Sequence, residues 1–338
     1  MQATQSQITK YRSKKMFRNM IKTIKIIKKK IRHWFDRPSL TAISQLPNKG
    51  EITIGDIGAA GEIAPRWKPF SKNLNYIGFE PDKRSIETIT NKKADFKSYQ
   101  ILPYALSDSK KTLSFHLCKD PEKSSLYEPN SEILDKFPDL KRFDVVETVT
   151  LDCVSLDSLN LPKIEFLKID IQGAENDVLK GASSMLNSVL GLDVEVEFIE
   201  LYKGQPLFGD ICKTLSKNGF DFIDFVSLYR WERSEHNAHG QCVFGDGLFL
   251  KSPEALLKSD VDINTWATYI TILMIYKRFD LIEVVLGLLP KDIKNHFKDF
   301  ELSFSKVQRR ETTVRRIHSF LNRCFSFLGE SWRLHVIR

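Results

Sequence analysis

EITIGDIGAAG, residues 51–61, is the stretch on which the fold turns. Glu51 to Ile57 is rich in apolar β-branched residues and reads as a buried strand, and Gly58-Ala59-Ala60-Gly61 then turns the chain into a helix. A second apolar run, Asn75 to Glu80, is stopped by Pro81. A strand, a glycine turn, a helix and a second strand ending in an acid open a parallel α/β unit of the kind that binds a nucleoside. Gly55, Gly58 and Gly61 are spaced G-x-x-G-x-x-G rather than G-x-G-x-x-G, and Asp56 sets a carboxylate inside the turn. That charge repels a pyrophosphate, whereas it attracts a ligand with an ammonium and a sulfonium. S-adenosylmethionine is such a ligand. The turn therefore favours it over a nicotinamide dinucleotide, with Glu80 placed for the ribose diol.

Outward from this unit, strands are expected near 97–105, 112–118 and 145–151, with a polar insertion between the last two. Ile164 to Ile171 reads as a buried strand, 175–188 as a helix, 191–199 as a strand, 206–218 as a helix, and 220–226 and 241–250 as closing strands. Alternating strands and helices predict a mostly parallel sheet with helices on both faces. The aromatic residues in 220–231 have the spacing of a core strand. Ser252-Pro253-Glu254 is a helix start, and the remainder reads as helices. Lys277-Arg278 cuts the apolar run Trp266 to Tyr276 well short of the roughly 20 residues of a bilayer span, so it is a core helix. The chain thus divides into a basic arm at 1–37, a sheet domain at 50–251 and a helical extension at 252–338, which offers helices for self-association.

The 338 residues are 42% hydrophobic and 11% aromatic, which excludes a disordered protein. Five scattered cysteines without a C-x-x-C pair argue against a disulfide framework and a zinc knuckle, and point to a cytoplasmic, reducing setting. The net charge of +8 is unevenly spread. Residues 1–37 hold twelve Lys/Arg against one acid, and 302–338 hold eight against two. The stretch between is left with 31 basic and 40 acidic residues. An acidic body with basic ends disfavours nucleic acid as the partner, because phosphate contacts need cations around the cleft. In the arm, Phe17, Met20, Ile21, Ile24, Ile27, Ile31, Trp34 and Phe35 recur at helical spacing among lysines. Residues 10–35 therefore suit an anionic membrane surface and a peripheral location. Lysines break every apolar run before a signal-peptide core can form.

The second chemical signal is LKIDIQGAENDVLKG, residues 167–181. Asp170 ends a buried strand on the edge where open α/β sheets hold ligands. Glu175 and Asp177 fall in the first turn of the following helix and read as its cap. His236 and His239 have metal-ligand spacing without a third ligand and read as loop residues.

The strings DIGAAG, YIGFEPD, YALSD, SSLYEPN, VTLDCVSLDSL, LKIDIQGAENDVLKGA, VEVEFIELYKGQPLF and GDGLFLK occur in this order. Together they resemble the FkbM family of S-adenosylmethionine-dependent methyltransferases, over about residues 50–251. The resemblance implies a class I methyltransferase, Rossmann-like sheet and methylation of a hydroxyl on a sugar, glycan or glycolipid-type acceptor. Carried over by position, Asp56, Gly58, Ala59 and Gly61 form the cofactor turn, Glu80 holds the ribose and Asp108 faces the adenine. Asp170, Glu195 and Asp246 are its catalytic carboxylates. They stand to bind a divalent cation, to hydrogen-bond sugar hydroxyls or to take the acceptor proton, and Glu195 has a structural reading besides. For the proton, Asp170 comes first and a histidine of the 236–239 loop second. Gln172 stands where the family string K-x-D-x-E-G-x-E has glutamate. Ser124, Ser125, Leu126 and Tyr127 suit a substrate lid, and Tyr202, Gln205 and Pro206 either shape the acceptor pocket or pack beneath it. The alternatives are an RNA methyltransferase clamped by the charged ends, and a cofactor-binding scaffold without turnover.

Overall fold

The computed structural model describes residues 37–324, apart from 62, 91–94, 139, 235–238 and 260. Except for Arg37, the basic arm read at 1–37 lies outside the described residues. The chain forms two compact units, Pro47–Ile293 and a unit of both termini, Met1–Leu46 with Lys294–Arg338. The terminal unit contains a helix, Lys298–Cys324, that buries Phe300, Phe304 and Val307 at steps of three and four. The helices over 253–288 belong to the unit of the sheet, so the extension read as 252–338 is divided at Ile293. No helix among the described residues is long and apolar enough to cross a membrane.

The strands are β1 (Ile52–Ile57), β2 (Leu74–Phe79), β3 (Ser98–Leu102), β4 (Ala105–Leu106), β5 (Lys111–Cys118), β6 (Val145–Val154), β7 (Phe166–Ile169), β8 (Gly191–Glu197), β9 (Phe220–Trp231) and β10 (Gln241–Lys251). Seven of them form one sheet in the order β3-β2-β1-β7-β8-β10-β9, in which β10 runs opposite to the other six. The chain leaves β1 toward β2 and β3 and returns on the other side at β7. This places the switch of strand order, and hence the ligand crevice, between the carboxyl ends of β1 and β7.

Three expectations are displaced. Pro103 ends the strand read at 97–105, and β4 joins β6 and β5 in a separate three-stranded sheet. The strands read at 112–118 and 145–151 pair with each other there, and their many exposed positions fit a small sheet with one solvated face. The helix read at 175–188 stops at Lys180 and is capped by Gly181, which passes so close to the chain just after β4 that a Cβ would lie 2.1 Å from the Ser107 carbonyl oxygen.

Register sorts the polar side chains onto one sheet face. Asp56 pairs with Lys168, Lys168 with Asp193, Asp246 with Glu195 and with Ser227. The opposite face carries Leu167, Ile169, Val194 and Val196, packed with Val178, Leu179, Ile211 and Leu215 of the helices Glu175–Lys180 and Phe208–Lys217. On the polar face Phe166 stacks on Tyr276, which follows the helix Ile263–Ile275. The Tyr276 hydroxyl donates to Asp193 Oδ2 at 2.8 Å.

Burial, and then the Asp246 charge, push the Asp193 carboxyl up to about 6. A raised carboxyl contributes stability below its unfolded pKa and loses it as pH rises through the folded one. Tyr276→Phe removes the donor that favours the ionised form. It is expected to cost about 1–3 kcal/mol at pH 8 and less at pH 5, measured by urea unfolding.

Candidate active site

At the end of β1 the chain turns at Gly58, whose φ is +84°. The N–H groups of Gly58 and Ala59 both donate to the Phe79 carbonyl, at 3.0 and 3.1 Å, and bind the turn to the end of β2. A Cβ on Gly58 would lie 1.9 Å from the Asp170 carbonyl oxygen, so only glycine lets the β1 turn pass the end of β7. Around Gly61 the same construction meets no atom within 4 Å. The result is a cleft of about 240 Å³ whose polar lining includes Asp56, Glu80, Lys123, Lys168, Asp170 and Gln172.

Two carboxylates on the β1–β2 side have oxygens to spare. The Tyr76 hydroxyl donates to Asp56 Oδ2 at 2.7 Å, while Oδ1 is buried without a hydrogen bond, 3.7 Å from Lys168 Nζ. Burial raises the Asp56 carboxyl and Lys168 opposes that rise. Glu80 is 5% exposed; its Oε1 accepts the Asp82 N–H at 2.7 Å, and burial raises its carboxyl to about 7. An orphaned acceptor, a second acid at the next strand end and an open glycine turn fit S-adenosylmethionine: ammonium on Asp56, ribose diol on Glu80. With Glu80 as acceptor, affinity for S-adenosylhomocysteine is expected to fall below pH 7, by up to tenfold per unit. Glu80→Gln is expected to bind weakly at every pH with a flat profile, as read by calorimetric titration.

On the other wall, Asp170 follows β7. Its oxygens accept from Lys168 Nζ at 3.2 Å and from Gln172 Nε2 at 3.0 Å. Burial opposes its charge, but the Lys168 ammonium, with help from Lys123, outweighs burial and holds the carboxyl down at about 2. The two carboxylates in turn secure the proton of half-buried Lys168. Asp170 is therefore ionised at any working pH.

Glu195 lies behind Gln172, whose Nε2 donates to its Oε2 at 2.6 Å. Burial, then the Asp170 and Glu197 charges, push this carboxyl well above the ordinary range. Asp246 accepts from the Ser227 hydroxyl. Of the three carboxylates read as catalytic, the lining of the cleft includes Asp170 and neither Glu195 nor Asp246.

Ala59 lies under the turn, where a Cβ on Gly78 would come within 2.9 Å of its own, and Ala60 lines the cleft in its place. Asp108 is also outside the lining. It sits in the loop after β4 and pairs with Lys111 at 2.8 Å, a bond that holds its carboxyl below the ordinary range. Tyr104, Leu106 and Phe115 form the wall on that side.

Glu175 does not reach the cleft. It accepts the N–H groups of Ile171 and Gly173 at 2.8 and 2.9 Å and so fixes the turn between Asp170 and its own helix. Glu175, Glu195 and Glu197 bring carboxylate oxygens within 4.8 Å of one another, and burial raises all three carboxyls. Asp177 accepts from the Tyr127 hydroxyl at 2.8 Å. Pro121, Lys123, Ser124 and Leu126 form a wall of the cleft, and Ser125 Oγ ties that wall to the Gln172 carbonyl at 2.6 Å. Tyr202 is fully buried with its hydroxyl 2.9 Å from Gln172 Oε1, and Gln205 accepts the Tyr202 N–H. His236 lies outside the described residues, and His239 is exposed. Lys168 was legible by alternation, two positions before Asp170 on one strand face. Tyr104 and Lys123 carried no local signal.

A mostly parallel sheet with one antiparallel hairpin strand, a glycine turn after β1 and an acid after β2 make a Rossmann-like fold of the class I methyltransferase type. Residues 58–222 match the family described as the Methyltransferase FkbM domain. The chain carries an FkbM-family domain and is an S-adenosylmethionine-dependent methyltransferase. The 2-O-methyltransferase NoeI of Sinorhizobium fredii (strain NBRC 101917 / NGR234) is 27% identical over 172 residues, which are 48% of this chain and 70% of NoeI. The crystal structure of Methyltransferase FkbM from Methylobacillus flagellatus KT is 14% identical with a TM-score of 0.36 over 62% of this chain, and the match spans 47% of that protein's length. Precorrin-6y C5,15-methyltransferase from Geobacter metallireducens GS-15 is 9% identical with a TM-score of 0.33, over 63% of this chain and 87% of its own.

Proposed function

We propose that the chain is an O-methyltransferase acting on a hydroxyl of a sugar, glycan or glycolipid-type acceptor. The observation that carries this reading is Asp170, an ionised carboxylate lining the cleft at the carboxyl end of β7, beside the glycine turn. The similarity to a 2-O-methyltransferase supports a hydroxyl as the acceptor group.

When bound, S-adenosylmethionine supplies an electrophilic methyl group on a sulfonium. Asp56 and Glu80 hold its ammonium and ribose, Gly58 and Gly61 leave room for it, and Tyr104, Leu106 and Phe115 give the purine an apolar wall. Asp170 accepts a hydrogen bond from the acceptor hydroxyl, which aligns the oxygen and takes up its proton at a carboxylate oxygen. Alignment is the larger contribution. A carboxyl at about 2 is a weak base for an alcohol. It is base enough for an alcohol oxygen that has gained a methyl group, because that oxygen is then a stronger acid than any carboxylic acid. Lys168 sets one ammonium between the Asp56 and Asp170 carboxyls and favours the charged form of each.

The basic arm at residues 10–35 supports an acceptor close to an anionic membrane. Liposome flotation of the full chain and of a chain lacking that segment tests this; equal recovery removes the membrane part of the reading. The activity is tested by transfer of labelled methyl from S-adenosylmethionine to glycans and to RNA. Label on glycans alone is expected. Label on RNA alone, or tight binding of NADH with none of S-adenosylhomocysteine, contradicts the proposal.

A further inference from the structure

The cleft is lined by two lysines, and they differ in what their charges meet. Lys168 Nζ is taken up by Asp170 at 3.2 Å and Asp56 at 3.7 Å. Lys123 Nζ forms no ion pair among the described residues. Its hydrogen bond goes to the neutral Gln172 Oε1 at 3.1 Å, and it stands 5.8 Å from the centre of the Phe244 ring.

Gln172 holds this arrangement from all sides. Its Nε2 donates to Asp170 and Glu195, and its Oε1 faces Lys123 and the Tyr202 hydroxyl. A flipped amide would set its oxygen against two carboxyl groups and its NH₂ against an ammonium, so the orientation is fixed. Its backbone, at φ +60°, is tied by Ser125 to the same wall that carries Lys123. A glutamate at this position, as in the family string, would pair with Lys123 and cancel its charge. With an amide there, the ammonium keeps two donors and its charge for a ligand.

We propose that Lys123 is the carboxylate-binding residue of the cleft, that it takes the carboxylate at the methionine end of S-adenosylmethionine, and that Gln172 keeps its charge available. The proposal rests on the cofactor reading above. The methionine end carries one ammonium and one carboxylate, and the cleft offers the orphaned Asp56 Oδ1 for the first and Lys123 for the second. An acidic acceptor sugar presents the same carboxylate, and the experiment separates the two.

Binding of S-adenosylhomocysteine and of 5′-methylthioadenosine, which lacks the amino-acid end, is measured by calorimetry on the full chain. Lys123→Gln is expected to weaken S-adenosylhomocysteine about 10- to 100-fold, the range of a charge-assisted hydrogen bond, and to leave 5′-methylthioadenosine within about twofold. Gln172→Glu is expected to weaken S-adenosylhomocysteine alone, in the same direction. Unchanged S-adenosylhomocysteine binding in Lys123→Gln overturns the proposal, and a raised KM for acidic acceptors in that variant assigns the lysine to the acceptor instead. Equal losses for both ligands also overturn it, since they report a structural role. Wild-type protein that binds neither ligand overturns the cofactor reading itself.

Discussion

Asp170→Asn is expected to lower kcat by about 10²–10⁴-fold while S-adenosylhomocysteine binding stays within a few-fold, because the carboxamide still fills the site but cannot take a proton. The loss falls on kcat more than on the acceptor KM. The acceptor hydroxyl retains a hydrogen-bonding partner, and what disappears is the charge that receives its proton. Glu195→Gln is the informative contrast. Glu195 lies behind Gln172 and outside the lining of the cleft, so an amide of the same shape leaves the acceptor's surroundings intact and turnover should remain within a few-fold. Stopped-time label transfer at saturating acceptor measures both variants. A Glu195→Gln enzyme as impaired as Asp170→Asn would mean that the proton passes through the buried pair.

Gly58→Ala is expected to have the largest structural effect. Alanine at φ +84° carries a left-handed backbone cost of about 1–3 kcal/mol. Its Cβ would also stand 1.9 Å from the Asp170 carbonyl oxygen and 2.8 Å from the carbonyl carbon, both backbone atoms. Relief requires β1 and β7 to move apart, which displaces Asp56 and Asp170 together. A stability loss of about 3 kcal/mol or more in urea unfolding and loss of S-adenosylhomocysteine binding should follow. Gly61→Ala is the control for stability, since a Cβ there meets no atom within 4 Å. It should unfold within about 0.5 kcal/mol of the wild type.

The sheet was legible where strands were buried on both faces. β1 and β7 are short, mostly apolar runs that end at glycine-containing turns, and β8 alternates acids with apolar residues, so the polar groups could be assigned to one face from alternation alone. The small sheet was not legible, because β5 and β6 read as ordinary strands and nothing local says which sheet a strand joins. Asp56, Gly58, Gly61, Glu80 and Asp170 were placed at the cleft by strand-end position. Asp108 was misplaced for the same reason the small sheet was missed: β4 leaves the main sheet and takes the following loop with it. Glu195 and Asp246 share the sheet face of Lys168 and Asp193, but sequence does not tell which groups on a face are covered. Gln172 could be flagged only as a departure from a family string, and its four side-chain partners come from four different segments of chain.

A crystal structure with S-adenosylhomocysteine tests the account most directly, through the distances from the ligand sulfur to the carboxylates. The ribose is expected on Glu80, the amino group on Asp56 and the sulfur nearer to Asp170 than to Glu195 or Asp246. A ligand seated outside the crevice between β1 and β7, or a sulfur turned away from Asp170 toward Asp246, would contradict it.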